Sequence, residues 1–229
     1  MPDFTLYYWP IPFRGQFVRA VLAQAQATWR EVGLEDTARL RLEDPADQVV
    51  PHMGPPVLTD HATGFSVSQM PAILGYLGQK FRLVPDDAER TAMTAKIVAD
   101  CNDVLNEMTR HNGAQMWSAS EWEEFQPRLR RWMTIFEETG RRHGLSPTAG
   151  HMLGTEAPGI ADLATAVLWG VMTDKLPGLR LILDQSAPAV VGLTDRIFAL
   201  PEQADLQARS DAEYGEAWCS GQIEASLRA

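Results

Sequence analysis

The chain has 229 residues, 45% of them hydrophobic and 22% charged, with 20 Lys+Arg against 30 Asp+Glu and a formal net charge of −10. That composition supports a sizeable core and excludes disordered, collagen-like and fibrous classes, while the acidic balance excludes nucleic acid as the main partner, because phosphate binding demands a basic surface. The excess charge is uneven: residues 1–82 carry net −1 and residues 83–229 net −9, which predicts two unlike parts.

Phe4 to Trp9 is rich in aromatic and β-forming residues and predicts a first strand ended by Pro10-Ile11-Pro12. Phe17 to Ala27 has helical spacing, and Trp29 to Val32 predicts a second strand, parallel to the first because a crossover joins them. Leu34 to Val50 is charged and patternless, an irregular stretch with one short helix at most. After the turn-dense Pro51 to Pro56, Val57–Asp60 and Phe65–Val67 predict a hairpin, and Ser68 is a candidate cap for a helix with Pro71 in its first turn, running to about Phe81.

Arg82 to Asp87 reads as a linker, and helical patterns dominate beyond it. Ala88 to Thr109 predicts one long helix. Ser118…Glu121 and Ser120…Glu123 offer overlapping capping boxes for a second, ending near Gly140 or Gly144. Further helices are expected from Ile160 to about Asp174, over Ala187–Leu200 and Glu202–Ala208, and in the tail beyond Asp211. The chain therefore divides into an α/β domain (1–80), a linker (81–88) and an all-α domain (89–229).

Other signals are weak. Two cysteines, Cys101 and Cys219, make a disulfide framework unlikely to be the organising principle, and the five histidines show no metal-ligand spacing, so no metal is expected. Met1-Pro2-Asp3-Phe4 lacks a basic segment leading into an apolar one, and Leu163 to Met172 is only about half a membrane span. The expected setting is a reducing cytoplasm without membrane contact. Arg128, Arg130, Arg131, Arg141 and Arg142 are interrupted by Glu137 and Glu138 and read as a solvated helix face.

Five segments in order resemble one family. These are Tyr7-Tyr8-Trp9-Pro10, with Arg19 eleven residues beyond Tyr8; Gly54-Pro55-Pro56-Val57-Leu58; Ser68-Gln69-Met70-Pro71-Ala72-Ile73-Leu74-Gly75-Tyr76-Leu77; Gly154; and Ile160-Ala161-Asp162-Leu163. Together they resemble the cytosolic glutathione S-transferases, in particular the tyrosine-type pi and mu members. The resemblance implies a thioredoxin-like N-terminal domain followed by an all-helical domain, a homodimer, glutathione as co-substrate, and attack of its thiolate on a hydrophobic small-molecule electrophile.

It also implies residue roles. Tyr8 is the candidate catalytic residue: a hydroxyl beside the sulfur favours the thiolate, and with an ordinary pKa of about 10 it keeps its proton. Trp9, Arg14, Pro55, Pro56, Gln69, Met70 and Asp100 match glutathione-contacting positions, with Pro56 at the family's cis-proline and Asp100 matching an acid that reaches ligand in the other subunit. Ile11, Phe13, Met108, Met116 and Trp117 are the apolar candidates for the electrophile site, and the tail from Tyr214, with Trp218 and Ile223, is a candidate cover. Three departures concern glutathione. Pro55 has no N–H where the family donates one, Met70 stands where a serine is usual, and the usual lysine before the cis-proline loop is missing, with Arg39 or Arg41 as substitutes. Pro55 and Met70 therefore leave a second reading open: a glutathione-transferase-like protein that binds another ligand or a protein partner and performs no transfer. Thiol–disulfide chemistry of the cysteine-based kind is disfavoured, since residues 10–19 hold no cysteine.

Overall fold

The computed structural model describes residues 1–228. The aromatic run at the N-terminus forms β1 (Phe4–Tyr7), and β2 (Trp29–Val32), β3 (Val57–Asp60) and β4 (Ser66–Ser68) join it in one sheet of order β2-β1-β3-β4. β1 runs parallel to β2, with Phe4 opposite Trp29, and antiparallel to β3, with Leu6 opposite Leu58. α1 (Phe13–Gln24) is the crossover that the parallel pair requires. Phe4, Leu6 and Tyr8 share a side of the strand, as a period of two dictates, and are 1%, 0% and 3% exposed. α3 (Met70–Lys80) packs on α1. This is the thioredoxin-like arrangement.

Beyond it the chain is helical: α4 (Ala88–Met108), α5 (Ala119–Arg142), α6 over residues 160–175 with a π turn at Val167–Val171, α7 (Arg180–Ser186), α8 (Pro188–Phe198), α9 (Pro201–Tyr214) and α10 (Gly221–Arg228). α6 is apolar on nearly every side, so it fills the centre, between α4, α8 and α1. Two buried polar bonds fix α9 against α1: Gln16 Nε2 to Ser210 Oγ at 2.9 Å, and Gln203 Nε2 to the Ala20 carbonyl at 2.9 Å. No helix among the described residues is long and apolar enough to cross a membrane.

The structure departs from the sequence reading mainly at helix starts and in one added helix. α1 begins at Phe13, a turn before the expected Phe17. The one short helix allowed in the charged stretch is α2 (Leu34–Leu42), whose only buried residue is Thr37, so no apolar stripe marks its bounds. Ser68 ends β4 and caps nothing; Gln69, at φ 73°, turns the chain into α3 without a side-chain cap. α7 was not expected, because Pro177 and Pro188 break the pattern on either side of it. The capping box of α5 is the Ser118–Glu121 pair of the two on offer.

Between α4 and α5 the chain makes a left-handed turn. Arg110, His111, Asn112 and Gly113 all have positive φ, at 44°, 59°, 58° and 83°. Such geometry costs about 1–2 kcal/mol for each ordinary L-residue, less for Asn. The turn is over-determined by its surroundings. Arg110 donates to the Met116 carbonyl at 2.6 Å, pairs with Glu121 at 2.8 Å and stacks over Trp117.

The tail is held by one carboxylate. Glu224 Oε2 accepts the N–H groups of Trp218, Cys219 and Ser220 at 2.9, 2.8 and 2.6 Å, while Oε1 takes Arg228. The Trp218 carbonyl accepts the Phe13 N–H at 3.1 Å, and the two rings meet edge to face at 5.3 Å. Glu224→Gln should therefore loosen the tail selectively, because a neutral amide accepts N–H bonds about half as strongly as an ion. Hydrogen exchange at residues 218–220 should speed up roughly tenfold, with the global unfolding midpoint changed far less; unchanged exchange there would refute this.

Candidate functional site

A cavity of about 530 Å³ opens between the sheet part and the helical part. Tyr8, Trp9, Ile11, Phe13 and Arg14 line it from the loop after β1, Arg41 from α2, residues 53–56 and Gln69 from the loops beside β3 and α3, and Asn102, Asn106, Thr109 and Asn112 from α4 and the left-handed turn. Cys219 and Ile223 of the tail complete the wall.

Tyr8 is placed by its neighbours. A Cβ at Gly15 would lie 2.2 Å from Tyr8 Cδ1, so the ring needs a glycine at that point of α1. The Arg14 backbone N–H donates to the Tyr8 hydroxyl at 3.0 Å, which occupies the oxygen from behind. No acceptor among the described residues takes the hydroxyl's own proton. Burial pushes the hydroxyl up to about 12 against the pull of Arg14 and Arg19, so it stays protonated through the neutral range.

The loop that carries these groups is clamped by Arg19, itself 1% exposed. Its guanidinium makes a bidentate pair with Glu31, Nε and Nη2 each at 2.6 Å. Nη1 donates to the Ile11 carbonyl at 2.8 Å, and the group stacks over Tyr214 at 5.0 Å. It thereby ties β2, the loop and α9 together.

Arg14 is held differently. Its Nε donates to Asn102 Oδ1 at 3.1 Å and Nη1 to Asn112 Oδ1 at 2.9 Å. Among the described residues no carboxylate lies within 4.0 Å of it, and burial lowers its pKa from the usual arginine value. At the other wall the Pro55–Pro56 peptide is cis. The Gln69 N–H donates to the Pro56 carbonyl at 3.2 Å, and the Met70 and Ala72 N–H groups at the start of α3 find no acceptor among the described residues.

Of the residues named from sequence, Tyr8, Trp9, Ile11, Phe13, Arg14, Pro55, Pro56 and Gln69 are brought together. Met70 has its side chain in the core at 0% exposure, and Met108 is likewise buried. Trp117 donates its indole N–H to the Met108 carbonyl at 2.9 Å and stacks with Phe125 and Trp122, and neither it nor Met116 lines the cavity. Asp100 lies outside the lining and pairs with Lys96 one turn back. Of the two candidate substitutes for the missing lysine, Arg41 reaches the cavity, whereas Arg39 is taken by Asp36 and Glu43.

Sequence reasoning missed Asn102, Asn106, Thr109 and Asn112. The first three are spaced i, i+4, i+7 on α4, one position off the buried Cys101, Leu105 and Met108, so the stripe was there to be read. Cys219 was placed only in the tail; burial and the nearby Glu224 push its thiol up to about 12, which leaves it a weak nucleophile. No group of three or more potential metal ligands occurs among the described residues.

A thioredoxin-like sheet, a helical partner and a cavity at their junction, with a cis-proline on its wall, define the fold and the candidate site. A family model described as "Glutathione S-transferase, C-terminal domain" matches residues 93–229. The chain belongs to the glutathione S-transferase family. Among solved structures it is similar to a Pi-class glutathione S-transferase of Onchocerca volvulus, with TM-score 0.76 and 18% identity over 96% of this chain and 98% of that one. It is also similar to a Nu-class GST from Haemonchus contortus, with TM-score 0.70 and 19% identity over 91% and 97% of the two chains. NaGST-2 gives TM-score 0.73 and 17% identity over 91% and 97%. These likenesses establish a shared fold. No curated protein sequence matches.

Proposed function

We propose that the cavity binds glutathione and that the protein is a glutathione transferase in which Tyr8 stabilises the attacking thiolate. The observation that carries this reading is the state of the Tyr8 hydroxyl: protonated, backed by the Arg14 N–H, on a cavity wall, with its own proton undonated. A fixed donor of this kind favours the anion of a bound thiol, whose ordinary pKa of about 8.5 leaves only a few per cent ionised at neutral pH.

The rest of the tripeptide finds complementary groups. The Pro55 carbonyl is the acceptor for the cysteinyl N–H, with the return donor missing. The uncapped start of α3 beside Gln69 suits one carboxylate, and Arg41 suits the other. Trp9 flanks the thiol end. In a homodimer, Asp100 is the residue to reach the glutamyl ammonium of the partner's ligand, and it would have to leave Lys96 to do so.

Calorimetric titration tests the reading. Glutathione should bind in the micromolar to low-millimolar range, and Arg41→Ala should weaken it roughly tenfold or more, as the loss of a charged hydrogen bond of about 1.5–3 kcal/mol does. With Tyr8 protonated to about pH 11, the pH profile of kcat/KM should rise with unit slope and level off at the pKa of the bound thiol, below its solution value, with no second break before pH 10. No heat at several millimolar glutathione would overturn the assignment and leave a family member devoted to another ligand.

A further inference from the structure

We infer that the second substrate of this cavity is an electrophile carrying a carboxylate, a deepening of the glutathione-transferase reading on which it rests. The wall that faces the sulfur position from the helical part is polar. It consists of Asn102, Asn106, Thr109 and Asn112, and the methionines and tryptophan expected there lie elsewhere. Arg14 stands among them with Nε and Nη1 on two amide oxygens and Nη2 without a partner among the described residues.

The direction of these bonds is set by chemistry. A guanidinium only donates, so Asn102 and Asn112 must both turn their oxygens to it. Each then has its NH2 left over, and neither NH2 has a protein partner among the described residues. Two neutral oxygens orient the cation without neutralising it, and no carboxylate among the described residues stands within 4.0 Å of it. A half-buried guanidinium and two spare amide donors amount to a cluster with donors in excess and one positive charge uncancelled. Such a cluster favours an anion with several acceptor oxygens over a hydrocarbon. Arg41 lies beside Gly54, where its Cδ is 4.0 Å from a Cβ built on that residue. With Arg41 and the start of α3 proposed for the two carboxylates of glutathione, Arg14, matched by resemblance to a glutathione contact, is reassigned to the second substrate. Ile11, Phe13 and Ile223 remain as an apolar side for the carbon frame.

The chemistry that fits is addition to an activated alkene bearing a carboxylate. The thiolate forms a C–S bond at the alkene carbon β to the activating carbonyl, and the π pair moves to the α carbon. The proton lost by the thiol returns there through water. Nothing is oxidised or reduced, and no group leaves.

The test is calorimetric binding of two glutathione conjugates, those of 4-oxo-4-phenylbut-2-enoate and of its methyl ester, which differ in one charge. Wild type should bind the carboxylate conjugate about tenfold or more tightly than the ester. Asn112→Gly removes one support of Arg14 at a position where glycine is conformationally favoured, so the fold is kept. It should cut that preference for the carboxylate conjugate over the ester several-fold, a ratio in which any shared loss of glutathione binding cancels. Equal or tighter binding of the ester by wild type would overturn the inference while leaving the glutathione site intact. If glutathione and both conjugates all fail to bind, the transferase reading falls, and this inference with it. Steady-state rates with the two alkenes, corrected for the uncatalysed reactions, should show the same order.

Discussion

Tyr8→Phe should leave glutathione binding within about threefold of wild type and lower kcat/KM for conjugation by about 100-fold at pH 7. The ring's packing against Gly15 is kept, while the proposed donor to the sulfur is lost and the Arg14 N–H loses its acceptor. Removing one preorganised donor from a developing or resident anion costs on the order of 10²–10³ in rate. The deficit should shrink as pH rises, because hydroxide then does the ionising: above the solution pKa of the thiol, the variant should approach wild type. The readout is twofold, a pH–rate profile and the absorbance of the bound thiolate. A variant that kept a low thiol pKa would remove Tyr8 from its proposed role, and Arg14 would be the next group to examine.

Arg19→Ala should be the most destabilising single change near the site, by about 3 kcal/mol. Arg19 is 1% exposed, but Glu31 keeps 29% of its side-chain surface, so the loss stays at the low end of the 3–5 kcal/mol typical of breaking a buried pair. Arg19→Lys should recover less than half, since a point ammonium cannot serve both Glu31 oxygens and a carbonyl at once. Urea denaturation gives the number directly. If Arg19→Ala fails to fold, the Lys variant still decides: a lysine chain as stable as wild type would show that the fork geometry is irrelevant. Loosening of the loop should also reach Tyr8 and Arg14, so a folded Arg19 variant is expected to bind glutathione less well.

The parts of the structure that could be read from sequence were those in which local pattern and tertiary role agree. β1 and β3 are rich in apolar β-formers, β2 is framed by Trp29 and Val32, and Pro, Gly or Asp stand at or near their ends. Ser118 announces α5, and α6 is apolar enough to have only one place to go. α2 has no buried stripe and gave no signal. The start of α3 was misassigned because backbone at positive φ, at Gln69, did what a side-chain cap was expected to do.

The site followed the same division. The residues brought in by short motifs, Tyr8 to Arg14 and Pro55 to Gln69, fell on one cavity. Of the apolar candidates for the electrophile site, Ile11 and Phe13 line the cavity, whereas Met108 is buried in the core and Trp117 stacks on Trp122 and Phe125; Met70 and Asp100, matched by motif, also lie off the lining. Asn102, Asn106 and Asn112 were invisible to a search for apolar lining, and Arg14, the partner of Asn102 and Asn112, lies far from them in the chain. Only the folded geometry shows that a cation and three amides share a wall.

The contact between Tyr8 and Gly15 also constrains the order in which this chain can change. Because the ring occupies the space of any side chain at position 15, a substitution there is penalised for as long as the tyrosine stands. Once position 8 has shrunk, position 15 is free to gain a side chain, and the way back is then closed by the same overlap. Loss of the hydroxyl alone, as in phenylalanine, stays reversible; loss of the ring becomes permanent with the next step at 15. Descendants that abandon this chemistry should therefore fall into two kinds, those that keep the small residue and can recover the tyrosine by a single change, and those that have passed the ratchet and need two.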